Sequence, residues 1–326
     1  MRYNDCAVAA SGALTSPTRL RPLLERHGLW LRKRFGQHFL CDANILKKIV
    51  AAAEIEPGAA VLEIGAGIGT LTVALAEAGA RVVAVEVDHR LLPLLRENLA
   101  DFDNVQVVHA DILKTQPARM LASRRGAPPR APGLGRPQRA APTIVPRWKV
   151  VANLPYSITA PVLLHLLRQR PRPELMVLMV QKEVADRLLS PPGAKEYGSL
   201  AVLVQAFMEV ERVAAVSQTC FFPAPKVESA IIRLRPRKKA LVPLRLTAIF
   251  EQVLRASFGQ RRKTLLNALS GSALGLSRPG AAAALEAAGI QPHLRAESLG
   301  IPEFVALARC VHQRLAEEQK TCAPSR

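Results

Sequence analysis

Apolar residues in this chain fall into two rhythms. In the first two thirds, short runs of aliphatic residues recur at 61–64, 81–86, 105–108, 149–152 and 175–180, each bounded by glycine, an acid or proline. Runs this short and this continuous predict strands buried on both faces. Between them the spacing turns helical, with Leu71, Val73, Ala74, Leu75 and Ala78 after the first run and a leucine-rich stretch over 91–99 after the second. Alternating strand and helix predicts an α/β chain, its parallel sheet covered by helices on both faces. A further run over 230–234 leads into Arg235-Pro-Arg-Lys-Lys239, a basic hinge marked by proline. Beyond it only helical periodicity remains, over 246–258, 263–269, 281–288 and 301–315.

The expected organisation is an α/β domain over 32–237 and a small all-helical domain over 238–320. From about 115 to 147 the pattern dissolves into Pro, Arg, Gly and Ala, which predicts an exposed, disordered insertion. The first 31 residues read as a disordered extension. Their short apolar run follows Asp5 as well as Arg2, unlike a secretory signal, and the Arg-rich stretch after it leaves a transit peptide or a start assigned too far upstream open. No internal repeat is present.

Composition adds a partner. With 49% hydrophobic and 22% charged residues in 326, the chain has material for a substantial core. Lys plus Arg number 45 against 26 Asp plus Glu, leaving +19, and such an excess calls for a polyanion, nucleic acid first. A GC-rich genome that writes Arg where Lys or Gln would serve explains the same number. The five cysteines form no Cys-x-x-Cys pair, so neither a disulfide framework nor a metal site is expected. No apolar stretch reaches the roughly 18 residues that span a bilayer. The expected setting is cytoplasmic, with mitochondrial import left open.

Chemistry gathers where strands are predicted to end. Gly65-Ala-Gly67-Ile-Gly69 follows the first strand and starts a helix, so its backbone can approach a ligand closely. The spacing is not Gly-x-Gly-x-x-Gly, which excludes the dinucleotide fingerprint and with it a nicotinamide dehydrogenase. Glu63, just before the glycines, would repel a pyrophosphate but suit an ammonium or sulfonium. Glu86 ends the second strand, placed to accept from vicinal ribose hydroxyls, and Asp111 follows the third, placed to accept an exocyclic amine. Either acid alone is also an ordinary helix cap. Together they describe a pocket for S-adenosylmethionine.

Five motifs then occur in order: Arg34-Phe-Gly-Gln-His-Phe-Leu40, Glu63-Ile-Gly-Ala-Gly-Ile-Gly-Thr-Leu-Thr72, Val85-Glu-Val-Asp88, Asn153-Leu-Pro-Tyr156 and Phe221-Phe-Pro-Ala-Pro-Lys-Val-Glu-Ser229. From about Arg32 to Leu315 the chain resembles the ribosomal RNA adenine N6-dimethyltransferases. The resemblance implies a Rossmann-like S-adenosylmethionine-dependent methyltransferase sheet with a helical C-terminal domain. It implies cofactor contacts at Gln37, His38, Phe39, Leu40, Glu63, Gly65, Gly67, Glu86, Asp111 and Asn153. The N-terminal extension and the Pro/Arg insertion depart from the family pattern but leave the motifs whole.

The adenine amine is a poor nucleophile because its lone pair is delocalised into the ring. A site must hold it with acceptors, aligned behind the methyl group. Asn153 offers a side-chain carbonyl and Leu154 a backbone one, while Pro155 stiffens the loop. Tyr156 offers a ring for an extruded base to stack on. By itself Asn-Leu-Pro-Tyr is also an ordinary proline turn. The resemblance implies that Phe221 sandwiches the base from the other face and that Lys226 meets a phosphate, with Phe222 read as core. Arg261, Arg262 and Lys263, with the hinge cations, are expected to track RNA phosphates.

Leu154 and Ser157-Ile-Thr-Ala-Pro161 look like the small-subunit enzymes of the family, which dimethylate two adjacent adenines near the 3′ end of the small ribosomal RNA. The expected partners are therefore the small subunit and its RNA, met by a monomer. The alternatives are an antibiotic-resistance type large-subunit methyltransferase and a non-catalytic assembly or transcription factor on the same fold.

Overall fold

A computed structural model describes residues 14–29, 38–122, 147–260 and 262–321. The strands are β1 (Phe39–Leu40), β2 (Ala60–Ile64), β3 (Arg81–Glu86), β4 (Val105–His109), β5 (Trp148–Asn153), β6 (Leu175–Gln181), β7 (Met208–Val216), β8 (Phe221–Phe222) and β9 (Ser229–Pro236). Seven of them form one sheet in the order β4-β3-β2-β5-β6-β9-β7, and β1 pairs with β8 apart from it. From β4 to β6 every pairing is parallel, and β9 then runs antiparallel to β6. The central strands are the continuous aliphatic runs, buried along nearly their whole length, whereas every residue of the edge strand β4 is half-buried or exposed.

The described residues divide into two compact units, one ending at Ala185 and resuming over Glu211–Pro236, the other made of Asp186–Val210 and the residues from Arg237 onward. The expected boundary at 237 therefore leaves out a segment. Ser199–Phe207 is an apolar helix that packs on the helix Thr247–Phe258, so it belongs with the helical unit although it precedes the hinge. That unit adds the helices Leu265–Ser270, Arg278–Ala287 and Ile301–Thr321, and its core holds the ring cluster Tyr197, Phe258 and Phe304. Among the described residues no helix is long and apolar enough to cross a membrane.

Two stretches expected to be disordered contain helices where they are described, residues 1–13 and 30–31 lying outside the described residues. Within 1–31, Pro17–Arg26 is a helix with proline in its first turn, and Leu14, Leu20 and Leu24 join the main apolar cluster of the sheet unit. Leu20 and Leu24, spaced i and i+4, were the available signal. Within 115–147, Pro117–Ala122 is a helix with Ala118 and Leu121 buried, and Arg81 Nη2 donates to the Leu121 carbonyl at 3.4 Å. The rest of that expected insertion, 123–146, lies outside the described residues.

At the amino ends of the parallel strands, charges close on one another. The ammonium of Lys149, 7% exposed, donates to the carbonyls of Ala53 (3.1 Å) and Glu54, completing the end of the helix Ala43–Ala52. A cation there meets the negative end of the helix dipole. The Glu54 carboxylate pairs with Arg233 (2.9 Å) and Arg235, and Arg233 also pairs with Glu211. Arg235, expected to track phosphate, is thus engaged within the sheet unit.

Candidate active site

The strand order turns back between β2 and β5, because the chain builds leftward through β3 and β4 and then crosses to the other side. At such a point the loops beyond the carboxyl ends diverge and leave a crevice. A cleft lies there, enclosing about 1180 Å³ with its open mouth included. His38, Phe39 and Leu40, residues 63–68, 85–87 and 110–112, and the segment 153–158 line it.

Its floor is the glycine turn. Gly65 and Gly67 have φ of +76° and +61°, a left-handed backbone that side chains rarely adopt. A Cβ on Gly67 would come within 3.2 Å of the Phe39 ring, which would have to give by a few tenths of an ångström. The Gly67 N–H donates to Glu86 Oε2 at 2.8 Å.

Glu86 is buried at the end of β3, and its Oε1 accepts from the N–H groups of Val87 (2.9 Å) and Asp88 (2.8 Å). Burial raises its pKa, the N–H groups of Asp88, Gly67 and Val87 pull it back, and the Asp88 charge raises it further. Glu63 is more extreme. It is 1% exposed, and its Oε2 has no hydrogen-bond partner among the described residues. Burial pushes its carboxyl up to about 8; the Thr72 hydroxyl opposes this without closing a hydrogen bond, and the Glu86 charge adds to it. A buried acid with an unpartnered oxygen beside a second carboxylate is disfavoured as a charged pair and would be relieved by a nearby cation. Asp111 lines the cleft and also does what the capping alternative required, accepting from Leu113 N at 3.0 Å at the start of the short turn Ile112–Lys114.

The opposite wall is the loop after β5. The Asn153 Nδ2 donates to the His38 carbonyl at 3.1 Å, so its Oδ1 is the end left to accept from a ligand. Leu154 is buried, its N–H given to the Met179 carbonyl at 3.1 Å, and the Pro155 ring stands against Gly65. Tyr156 shares a 2.7 Å hydrogen bond with the Ser229 hydroxyl, and burial raises its pKa. Its ring lies 5.8 Å from that of His38, at an interplanar angle of 26°. His38 Nδ1 is 2.7 Å from the Pro223 carbonyl, which can only accept, so Nδ1 carries a proton and donates it there.

The structure thus brings together His38, Phe39, Leu40, Glu63, Gly65, Gly67, Glu86, Asp111 and residues 153–156. It does not bring in Phe221. That ring is 4% exposed, its residue pairs with Leu40 in the β1–β8 ladder, and it belongs to the core, while Phe222 is the half-buried one. The two expectations for this pair are therefore exchanged in burial, because the register with β1 and not the local sequence decides which ring points inward. Gln37 and Arg261 lie outside the described residues. Lys226, Arg262 and Lys263 are exposed, as are Lys238 and Lys239, but Arg237 donates to the Gln205 carbonyl at 2.7 Å and faces Glu209 at 3.8 Å. Sequence reasoning missed Ser229 as a partner of Tyr156, although it closes the last of the five motifs.

A model of the ribosomal RNA adenine dimethylase family matches residues 28–309. A ribosomal RNA small subunit methyltransferase A from Moorella thermoacetica is 44% identical over 297 residues, covering 91% of this chain and 98% of that one. Another from Geobacillus kaustophilus is 42% identical over 300 residues, covering 91% and 97%. Among solved structures, a dimethyladenosine transferase from Plasmodium falciparum matches with a TM-score of 0.66 at 26% identity, over 84% of this chain and 98% of that one. The 23S rRNA methyltransferase ErmE matches with 0.57 at 28% identity, over 84% and 99%. With a match that takes in the glycine turn, the loop after β5 and most of the helical unit, the chain belongs to the ribosomal RNA adenine dimethylase family.

Proposed function

We propose that this protein transfers methyl groups from S-adenosylmethionine to the N6 amine of two adjacent adenines near the 3′ end of small-subunit ribosomal RNA. The observation that carries the reading is the Asn153 amide: its nitrogen is committed to the His38 backbone, which leaves a carbonyl acceptor on the cleft that also holds Glu63 and Glu86.

S-adenosylmethionine fits this donor set, because its sulfonium and ammonium suit the unpaired carboxyl of Glu63 and its ribose suits Glu86. When bound it supplies an electrophilic methyl group. Glu86, Asp111 and the glycine turn hold the nucleoside end, and the β1 residues with Glu63 flank the other end. Asn153 Oδ1 and the Leu154 carbonyl accept from the adenine amine, drawing its lone pair out of conjugation and towards the methyl carbon. Tyr156 holds the base by its ring face. As nitrogen gains the methyl it becomes acidic and sheds a proton to water, so no strong base is required. Phe221, being core, backs the Leu40 wall.

The relatives named as small-subunit methyltransferases favour that RNA over the large-subunit one. Lys226, Arg262 and Lys263 are exposed cations suited to its phosphates, and we place the protein in the cytoplasm, acting as a monomer. Tritiated-methyl transfer to purified small subunits that lack the modification tests the reading. Label is expected on two neighbouring adenines as N6,N6-dimethyladenosine; label on large-subunit RNA instead, or none, overturns it.

A further inference from the structure

The ring on which the target base is read to stack is fixed from outside its own loop. Tyr156 sits in a short turn, Tyr156–Ile158, half-buried, with one ring face towards His38. What fixes it further is at the hydroxyl end. Ser229 is 0% exposed at the first position of β9, in register with Gln181 at the carboxyl end of β6, and its Oγ lies 2.7 Å from the Tyr156 hydroxyl. A serine on a paired strand is a stationary anchor, and a ring held at its far end keeps its plane. The site's other groups do not reach this hydroxyl: Asn153 is tied to the His38 backbone, and the His38 ring approaches the face of Tyr156, not its edge.

We infer that Ser229 is a positioning residue for methyl transfer, setting the plane of the Tyr156 ring so that an extruded adenine stacks with its amine on Asn153 and Leu154. The inference rests on the methyltransferase reading above. Ser229 touches neither base nor cofactor in this role. Its loss frees the ring, so fewer bound bases present the amine in line, and turnover falls while cofactor binding stays the same.

The test is a double-mutant cycle on the full-length protein, with Ser229→Ala, Tyr156→Phe and the double variant, read by single-turnover methylation of unmodified small subunits and by calorimetry with S-adenosylmethionine. Each single variant removes the same hydrogen bond from a different side. Each is expected to slow single turnover about tenfold, the equivalent of roughly 1.4 kcal/mol, with cofactor affinity and melting temperature near wild type. The double variant should be no slower than the singles. Ser229→Thr, which restores a hydroxyl, should recover most of the rate. Should Ser229→Ala be destabilised, Tyr156→Phe carries the same comparison, since it leaves β9 intact. A wild-type rate in folded Ser229→Ala, or rate losses that multiply in the double variant, overturns the positioning role and leaves the methyltransferase reading standing. No methyl transfer by the wild-type protein overturns both.

Discussion

The two ends of the central sheet treat charge in opposite ways. At the amino ends, Lys149 neutralises a helix terminus, and Glu54, Arg233, Arg235 and Glu211 neutralise one another. At the carboxyl ends, among the described residues, Glu63 keeps an oxygen without a partner, and Glu86 is held by backbone N–H groups alone. The two sets lie on one sheet but on different strands, Glu63 and Glu86 on β2 and β3, and Lys149, Glu211, Arg233 and Arg235 on β5, β7 and β9. An end that satisfies itself has no affinity left for a ligand. An end that leaves a buried carboxyl unpaired is destabilised until something cationic arrives, and that stored cost becomes binding energy. The comparison predicts that substitutions at the carboxyl end change chemistry and ligand binding, and those at the amino end change stability alone.

The largest effect is expected at Asn153. An acceptor that matters mainly while the amine rehybridises lowers turnover more than binding. Asn153→Ala should cost about 10²–10³ in kcat, roughly 2.7–4 kcal/mol, by comparison with other single polar contacts to a transition state. Single-turnover rates at saturating cofactor and RNA, set beside a thermal melt, check it. A destabilised variant with the wild-type rate would mean that Asn153 only shapes the turn before Pro155.

Glu63 sharpens the comparison through pH. Its folded carboxyl, near 8, lies above its ordinary value of 4.5, so between those values the folded protein holds a proton that the unfolded chain has lost. Its contribution is therefore fully present below about pH 4.5 and lost as pH rises through about 8. The expected loss is on the order of a few kcal/mol at most. Glu63→Gln keeps the shape and cannot ionise, so ligand-free variant and wild type should melt alike in acid, and the variant should melt higher at about pH 9. Parallel melting curves across the range would show that Glu63 is already satisfied.

That acid end was legible because its signals are local. Gly65, Gly67, Glu86 and Asn153 each sit within a few residues of a strand run, and a parallel sheet brings all its strand ends to one place. The contacts that the sequence hid join residues far apart: Lys149 to Ala53, Tyr156 to Ser229, and Leu20 and Leu24 to the core under the sheet. Nothing in the local pattern at either partner specifies such a meeting. Phe221 and Phe222 show the same limit at its smallest scale, since one step of register against Phe39 and Leu40 exchanges which ring is core.

Glu86 comes next in size. Ribose hydroxyls that lose a charged acceptor should lose roughly 1.5–3 kcal/mol of cofactor binding in Glu86→Ala. Calorimetry measures it, with a melt alongside, because the N–H groups of Gly67, Val87 and Asp88 lose their acceptor too. Unchanged affinity in a folded variant would return Glu86 to the status of a turn cap and erase part of the contrast between the two ends.

The smallest effect is expected at Glu54, and it tests the quiet side of the comparison. Its carboxylate is paired with two guanidinium groups, and the hydrogen bond from Arg235 holds its pKa below the usual range, yet its side chain remains 49% exposed. Water and salt screen such pairs, so the lost interaction is discounted to about 0–1 kcal/mol. Glu54→Gln should lower stability by that much at low ionic strength, and the difference should fade as salt rises. Because its folded pKa is depressed, the contribution exists above the unfolded value and disappears as pH falls through the folded one. The backbone at Glu54 is left-handed, with φ of +49°, so Glu54→Gly relieves strain while deleting the same charge and should be less damaging than Glu54→Ala. None of these variants should alter single-turnover methylation or cofactor affinity. A Glu54 variant that melts normally but methylates slowly would show that the amino end communicates with the cleft, and the division of labour between the two ends would have to be given up.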